Sequence, residues 1–283
     1  KVELMRQHLE REGLGYGFYC ATTPKEQNDV WEVRKSGLTL LMSVQGDAKP
    51  IAFVEDTAVD VDRLPEYVQR LQQVVADHDT SAGFYGHASV GCLHFRPLIN
   101  CKDSGDIQKL RSIADDIRDL VVEFDGSLSG EHGDGRTRTE YLPGFYGDEI
   151  YGAFRNIKTA FDPDCRLNPG NICDPWGAKE AATQLAERVE GTADPPDTSG
   201  YLIDTNLRYG ADYQTVVAER YLDWSREGGM AAHIEMCNGN GFCRKLDGGT
   251  MCPSYQVTRQ EKDCTRGRAN ALRGVISGDL PAA

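Results

Sequence analysis

Nowhere does this chain carry an apolar run approaching the roughly 18 to 20 residues that cross a bilayer. Its opening stretch, Lys1 to Glu12, is charged and amphipathic rather than a secretory signal. A cytoplasmic or membrane-peripheral protein without a transmembrane segment is therefore expected. Basic residues are scarce: 31 Lys and Arg face 44 Asp and Glu, a net charge of -13, which argues against a non-specific grip on nucleic-acid phosphates. A small anionic substrate stays open, because a local cluster of Arg, Lys or metal overrides the global field. There is no internal repeat, and no glycine-rich pyrophosphate loop opens a helix after a strand. The nine cysteines come without a secretory signal and at uneven spacing, which argues against a disulfide framework and for metal ligation or reduced thiols.

What remains is a globular composition, 40% apolar and 27% charged over 283 residues, enough for about two domains. The chain starts inside the end of a helix, with Leu4, Met5 and Leu9 on one side and Gly13 as a stop, and it ends abruptly at Ala283. A fragment of a longer polypeptide is expected.

Leu38 to Val44 and Ile51 to Val59 read as two strands of a hairpin around Gln45–Pro50. Val61, Leu64, Val68, Leu71 and Val75 recur at helical steps, with Pro65 tolerable in the first turn. Strands follow at Ala82 to Gly86 and Val90 to Pro97, then a helix with the stripe Ile107, Leu110, Ile113, Ile117, Leu120 and Phe124. A third helix is expected from Asp148 to Phe161, ending at Asp162-Pro163-Asp164. The order β-α-β-β-α predicts an α+β fold: a ferredoxin-like antiparallel sheet with helices on one face, followed by a small Cys-rich segment. Residues 176–232, with the run Gly191 to Asp197, read as a linker. Residues 233–283 are rich in Gly, Cys and Arg, bury little on their own, and imply a stabilising metal centre.

Two constellations carry chemistry. His87 and His94 stand seven apart, on opposite faces of one straight strand, but Gly86 and Gly91 flank a turn that can fold the chain back and unite them. With Glu131 from Ser129-Gly130-Glu131-His132-Gly133-Asp134-Gly135 they make a His/His/Glu set, that of a catalytic metal with an open position. Any one of these histidines alone is more often a satisfied polar residue than a ligand. Cys92 between them reads as an apolar filler or a soft ligand. His132, whose side chain diverges from that of Glu131, is the candidate general base, the alternative being a turn cap. Gly130, Gly133 and Gly135 leave room for a flat cofactor or substrate.

Cys237, Cys243, Cys252 (before Pro253) and Cys264 fall within 28 residues and form the second constellation. Clustered cysteines ending in Cys-Pro are the pattern of iron–sulfur ligation. Zinc is the competing reading, disfavoured by the long gap before Cys252 and the lack of a second Cys-x-x-Cys pair.

The Gly-His run ending in Leu93-His94, the Gly-Glu-His-Gly motif and Phe161-Asp162-Pro163-Asp164-Cys165-Arg166-Leu167-Asn168-Pro169-Gly170 together resemble the carboxy-terminal substrate domain of FAD-linked oxidases, in their D-lactate and D-2-hydroxyglutarate dehydrogenase branch. The resemblance implies that residues 1–175 form that domain, with the FAD-binding domain upstream. It implies His87, His94 and Glu131 as ligands of a divalent zinc- or manganese-type metal, His132 as base, and Gly133 and Asn168 on the cofactor side. Arg34, in Trp31-Glu32-Val33-Arg34, would clamp the substrate carboxylate, with Lys49 as a second candidate; a surface ion pair is the alternative for Arg34. Cys92 stands where many relatives carry Asn. His233 to Leu272 is similar to the iron–sulfur segment fused to this branch in long bacterial proteins, and to the iron–sulfur subunit of glycolate oxidase. Asn240 replaces its usual central cysteine, so Cys264 is the candidate fourth ligand of a 4Fe-4S cluster, and Cys252 could instead serve another cluster. The implied activity is FAD-dependent oxidation of a small D-2-hydroxyacid to a 2-oxoacid, with electrons passing to the cluster; homo-oligomerisation is left open. The rival reading is a non-catalytic iron–sulfur electron-transfer protein. An oxygen-using oxidase is disfavoured by the cluster.

Overall fold

The computed structural model describes residues 1–164, 166–173, 202–205, 207–216, 221–247 and 251–281. Cys165 and the linker-like run Gly191 to Asp197 lie outside the described residues. The chain divides into two compact units, Lys1–Val44 and Gln45–Ala283. The first holds α1 (Val2–Arg11) and α2 (Pro24–Leu41). The expected strand at Leu38 to Val44 is therefore corrected to the end of a helix. A capping box starts α2: the Thr23 hydroxyl accepts the Glu26 N–H while the Glu26 carboxylate accepts that of Thr23. Propagation from this start carries the ambiguous apolar run through as helix, since a short apolar run fits either period.

In the second unit a four-stranded antiparallel sheet is centred on β4 (Cys92–Ile99). β3 (Ala82–His87) pairs along one edge of β4 from Cys92 to Pro97. Along its other edge lie β1 (Lys49–Pro50) and β2 (Asp56–Ala58). The strand expected over Ile51 to Val59 is thus split. Pro50 faces Leu98 and Asp56 faces His94, so five residues on one side oppose three on the other, a bulge carrying two extra residues. Pairing continues around it, with Ile51 N–H donating to Pro97 O and Phe95 N–H to Glu55 O.

Side chains of β4 alternate between two environments, as a strand requires. Leu93, Phe95 and Ile99 enter the apolar core with α3 (Leu64–Asp77) and α4 (Ser104–Glu123). The stripes expected on these helices hold: Leu71 and Val75 are buried, as are Leu110, Ile113, Ile117, Leu120 and Phe124. Val61 is the exception, exposed in the turn before α3. Tyr67 locks the layers, edge-on to Phe124 and donating to the Thr57 hydroxyl at 2.8 Å. The opposite face of β4 carries Cys92, His94 and Arg96.

After α5 (Gly135–Arg138), α6 spans Leu142–Phe161 with a break at Gly147, so that its second half matches the helix expected from Asp148. The cysteine-rich part adds α7 (Met230–Glu235), α8 (Pro253–Thr258) and α9 (Thr265–Ser277). It meets the turn between β4 and α4 through the buried Glu235, whose carboxylate accepts Lys102 Nζ at 2.6 Å and the Tyr213 hydroxyl at 2.8 Å. No helix among the described residues is long and apolar enough to cross a membrane.

Candidate metal centre

The hairpin between β3 and β4 turns at Gly91, in the left-handed region with φ 68. A Cβ there would stand 1.8 Å from Val59 O, so both conformation and space demand glycine. This tight turn pairs His87 with Cys92 and Tyr85 with His94. His87 and His94 therefore become diagonal neighbours on the face opposite the core, with ring centroids 5.4 Å apart.

The third segment arrives along the free edge of β2. Ala58 and Ser127 exchange backbone hydrogen bonds, and Gly130 N–H donates to Asp56 O at 2.7 Å. A Cβ on Gly130 would meet Ala58 Cβ at 3.0 Å, Asp56 O at 3.1 Å and Cys92 Sγ at 3.2 Å, which is why the loop can lie flat there. This approach delivers Glu131 onto the imidazoles. Its Oε1 lies 2.9 Å from His94 Nε2, 3.5 Å from His87 Nε2 and 3.4 Å from His132 Nε2. The ligand atoms of His87, His94 and Glu131 all lie within 4.8 Å of one another, so this donor set fits a divalent ion with room for further ligands. His132 stacks on His94, centroids 5.1 Å apart and planes 14° from parallel. His94 is buried and the other three are half-exposed, leaving one side open to a substrate.

Burial pushes the His94 pKa down, against the pull of Glu131 and Glu55 in the other direction. A neutral ring is the form that binds metal. Burial likewise raises the Cys92 thiol, to about 11, with Glu131, Asp56 and Glu55 adding to it. Cys92 is thus a neutral thiol beneath Gly130, the filler of the two expected alternatives.

Sequence reading missed the residue that holds this loop. Asp56 is completely buried, and its carboxylate accepts the N–H of Glu131 (3.0 Å), the N–H of His132 (2.7 Å), the Ser129 hydroxyl (2.9 Å) and the guanidinium of Arg138 (2.6 Å). Burial alone would raise its pKa, but the two backbone donors, Arg138 and Ser129 outweigh it and hold the carboxyl far below the usual range. Arg138 also donates to Leu128 O and Gly133 O, tying both ends of the loop. Glu55 was missed as well; it approaches His132 Nδ1 at 3.6 Å. An acid pair inside an apolar strand was the available signal, since alternation aims one of two neighbours inward.

The other candidates are placed as follows. Gly133 has φ 82 and nothing within 4 Å of its Cβ position, and the same openness holds at Gly135, so a flat ring system has room at this end of the loop. Asn168 takes φ 45 in the turn after α6. Lys49 pairs with Ile99, five residues along β4 from His94 and so about 17 Å away at the usual rise. The fold does not bring it to the histidines; its Nζ meets Met236 Sδ at 3.5 Å. Arg34 is carried by α2 of the N-terminal unit, whereas the cluster is built within the second.

Three of the four clustered cysteines converge on the first turn of α9. The N–H groups of Thr265, Arg266 and Gly267 donate in succession to Cys252 Sγ (3.2 Å), Cys243 Sγ (3.3 Å) and Cys264 Sγ (3.3 Å). A helix N-terminus favours anionic sulfur, and hydrogen bonding by Thr265 lowers the Cys252 pKa. Burial raises that of Cys264. Cys237 sits just after α7, its carbonyl accepting from Arg208. No disulfide occurs among the described cysteines.

Comparison with known proteins agrees with this architecture. Residues 1–172 match the family model for the FAD linked oxidases, C-terminal domain. The chain is 34% identical to a D-2-hydroxyglutarate dehydrogenase of Pseudomonas putida over 278 residues, 96% of this chain and 25% of that protein. It is 35% identical to a protein of the same name from Escherichia coli over 86% of this chain and 21% of that protein. A D-lactate dehydrogenase of Archaeoglobus fulgidus is 30% identical over 54% of this chain and 32% of its own length. The chain spans about a quarter of the length of the first of these relatives. With more than half of its residues under the family model, the chain belongs to the FAD-linked oxidases through their C-terminal domain.

Proposed function

We propose that this chain is the substrate-binding and iron–sulfur part of an FAD-dependent dehydrogenase that oxidises a D-2-hydroxyacid, of the D-2-hydroxyglutarate or D-lactate type, to the 2-oxoacid. The observation that carries the reading is the convergence of three imidazole Nε2 atoms on Glu131 Oε1 on one open face of the sheet. His87, His94 and Glu131 hold a divalent ion of the zinc or manganese type, which supplies Lewis-acid polarisation of the substrate hydroxyl. His132 Nε2 takes the hydroxyl proton as the general base. Arg34 fixes the substrate carboxylate by a bidentate contact. FAD, bound by a part upstream of these residues and approached by Gly133 and Asn168, supplies the hydride acceptor.

Residues 1–175 form the substrate-binding part, 176–232 the connection and 233–283 the start of the iron–sulfur part. Cys237, Cys243, Cys252 and Cys264 hold a 4Fe-4S cluster, and the α9 N–H groups that meet three of these sulfurs stabilise them as thiolates. The protein works in the cytoplasm or at a membrane surface. The test is a panel of D-2-hydroxyacids with an artificial acceptor. Turnover is expected from the chain completed by its flavin-binding part, with D-2-hydroxyglutarate or D-lactate among the best substrates. Turnover by the chain alone, with no flavoprotein added, would contradict the reading.

A further inference from the structure

Glu55 lies at the end of the two-residue bulge, its carbonyl fixed by Phe95 N–H and its carboxylate turned under the histidines. Bulges of this kind re-aim a side chain out of the regular alternation. The Glu55 side chain is only 13% exposed. Its Oε1 accepts the Tyr85 hydroxyl at 3.0 Å and pairs with the Arg96 guanidinium. Its Oε2 stands 3.6 Å from His132 Nδ1, and its Oε1 stands 4.0 Å from His94 Nδ1. The Nε2 atoms of the same two rings face Glu131 on the other side. One carboxylate therefore backs two stacked imidazoles while another fronts them.

A neutral imidazole carries one proton, and whichever nitrogen holds it cannot bind a metal or accept a proton. With Glu131 engaged by a cation, a carboxylate behind Nδ1 draws the proton there and leaves the Nε2 lone pair facing forward; without a cation, Glu131 Oε1 at 2.9 Å from His94 Nε2 favours the other tautomer. His94 Nδ1 is buried without a hydrogen-bond partner among the described residues, a costly condition that the neighbouring Glu55 oxygen relieves by a small movement. Glu55, His94 and His132 also lie close enough to hold a cation themselves. The guanidinium of Arg96 already neutralises Glu55, however, and would repel an ion placed there.

We propose that Glu55 is a positioning residue that sets the tautomer of both His94 and His132, with the proton on Nδ1 and Nε2 free for the metal and for the substrate proton respectively. The inference rests on the metal-site reading given above. It is tested on the chain with isotope-labelled histidine, by proton–nitrogen correlation spectra at about pH 8, where unperturbed imidazoles are neutral. In the zinc-loaded wild type, His94 and His132 are expected as Nδ1–H tautomers. Glu55→Gln shifts both toward Nε2–H, leaves His8 and His78 unmoved, and weakens manganese or zinc binding about 10- to 100-fold. Glu55→Asp, which keeps the charge but withdraws it by one methylene from both rings, gives a smaller shift of the same sign and serves if Glu55→Gln does not fold. Unchanged tautomers of His94 and His132 in the folded variant would overturn the proposal. If the wild type bound no divalent ion but Glu55→Gln still moved the ring-nitrogen signals of His94 and His132, the metal reading would fail and the positioning of the rings would stand.

Discussion

Replacing His132 by glutamine is expected to lower turnover of the completed enzyme about 100- to 10,000-fold, the usual contribution of a positioned general base, while metal content stays at the wild-type level. His132 Nε2 is as near Glu131 Oε1 as His87 Nε2 is, 3.4 against 3.5 Å, so position alone does not separate a base from a ligand. Exposure does not separate them either, since both side chains are 47% exposed; the feature that favours the base is that His132 stacks on His94 rather than meeting it edge-on as His87 does. Metal content and single-turnover rates measured together make the separation. Loss of the metal in His132→Gln would reassign the residue as a ligand.

The second large effect concerns Asp56. Asp56→Asn removes the charge that faces the buried Arg138 and weakens the acceptor for two loop N–H groups. Breaking a buried ion pair from one side costs about 3–5 kcal/mol, read by chemical denaturation at neutral pH. The variant should also bind the divalent ion less tightly, because Glu131 and His132 are the residues whose backbone Asp56 holds. The pH dependence follows in sign. The folded-state pKa of Asp56 is depressed, so its stabilisation is present above the unfolded value near 3.9 and is lost as the pH falls through the folded one. Asp56→Asn should therefore show a flatter acid limb than the wild type. A loss under about 1 kcal/mol, the scale of an exposed pair, would contradict the role assigned here.

Much of the histidine-bearing side of this molecule was legible in the order of its residues. Gly86 and Gly91 around the two histidines announced a reversal, and alternation then required His87 and His94 to share a face. The apolar stripes of α3 and α4 were readable because both helices bury one side against the sheet. The end of α2 was not read, since Leu38 to Leu41 suits either period; the Thr23-Pro24-Lys25-Glu26 start would have settled it. The edge strand was seen as continuous because a bulge leaves no mark in an apolar run, and that same bulge sends Glu55 and Asp56 to different tasks. Among 44 acidic residues, composition cannot say which one is buried; only the approach of residues 127–130 to β2 makes Asp56 an anchor. The cysteine cluster was visible as spacing. That consecutive N–H groups of Thr265, Arg266 and Gly267 serve three of its sulfurs required knowing where α9 begins.

One coordination sphere is decisive, and X-ray absorption at the edge of the bound zinc or manganese reads it directly. The expected spectrum shows imidazole nitrogen and carboxylate oxygen neighbours and no sulfur, with the ion lost on His94→Ala and its nitrogen shell reduced on His87→Ala. A sphere of sulfur neighbours, or a metal indifferent to both substitutions, would place the ion elsewhere and leave the three imidazoles around Glu131 without the role argued for them.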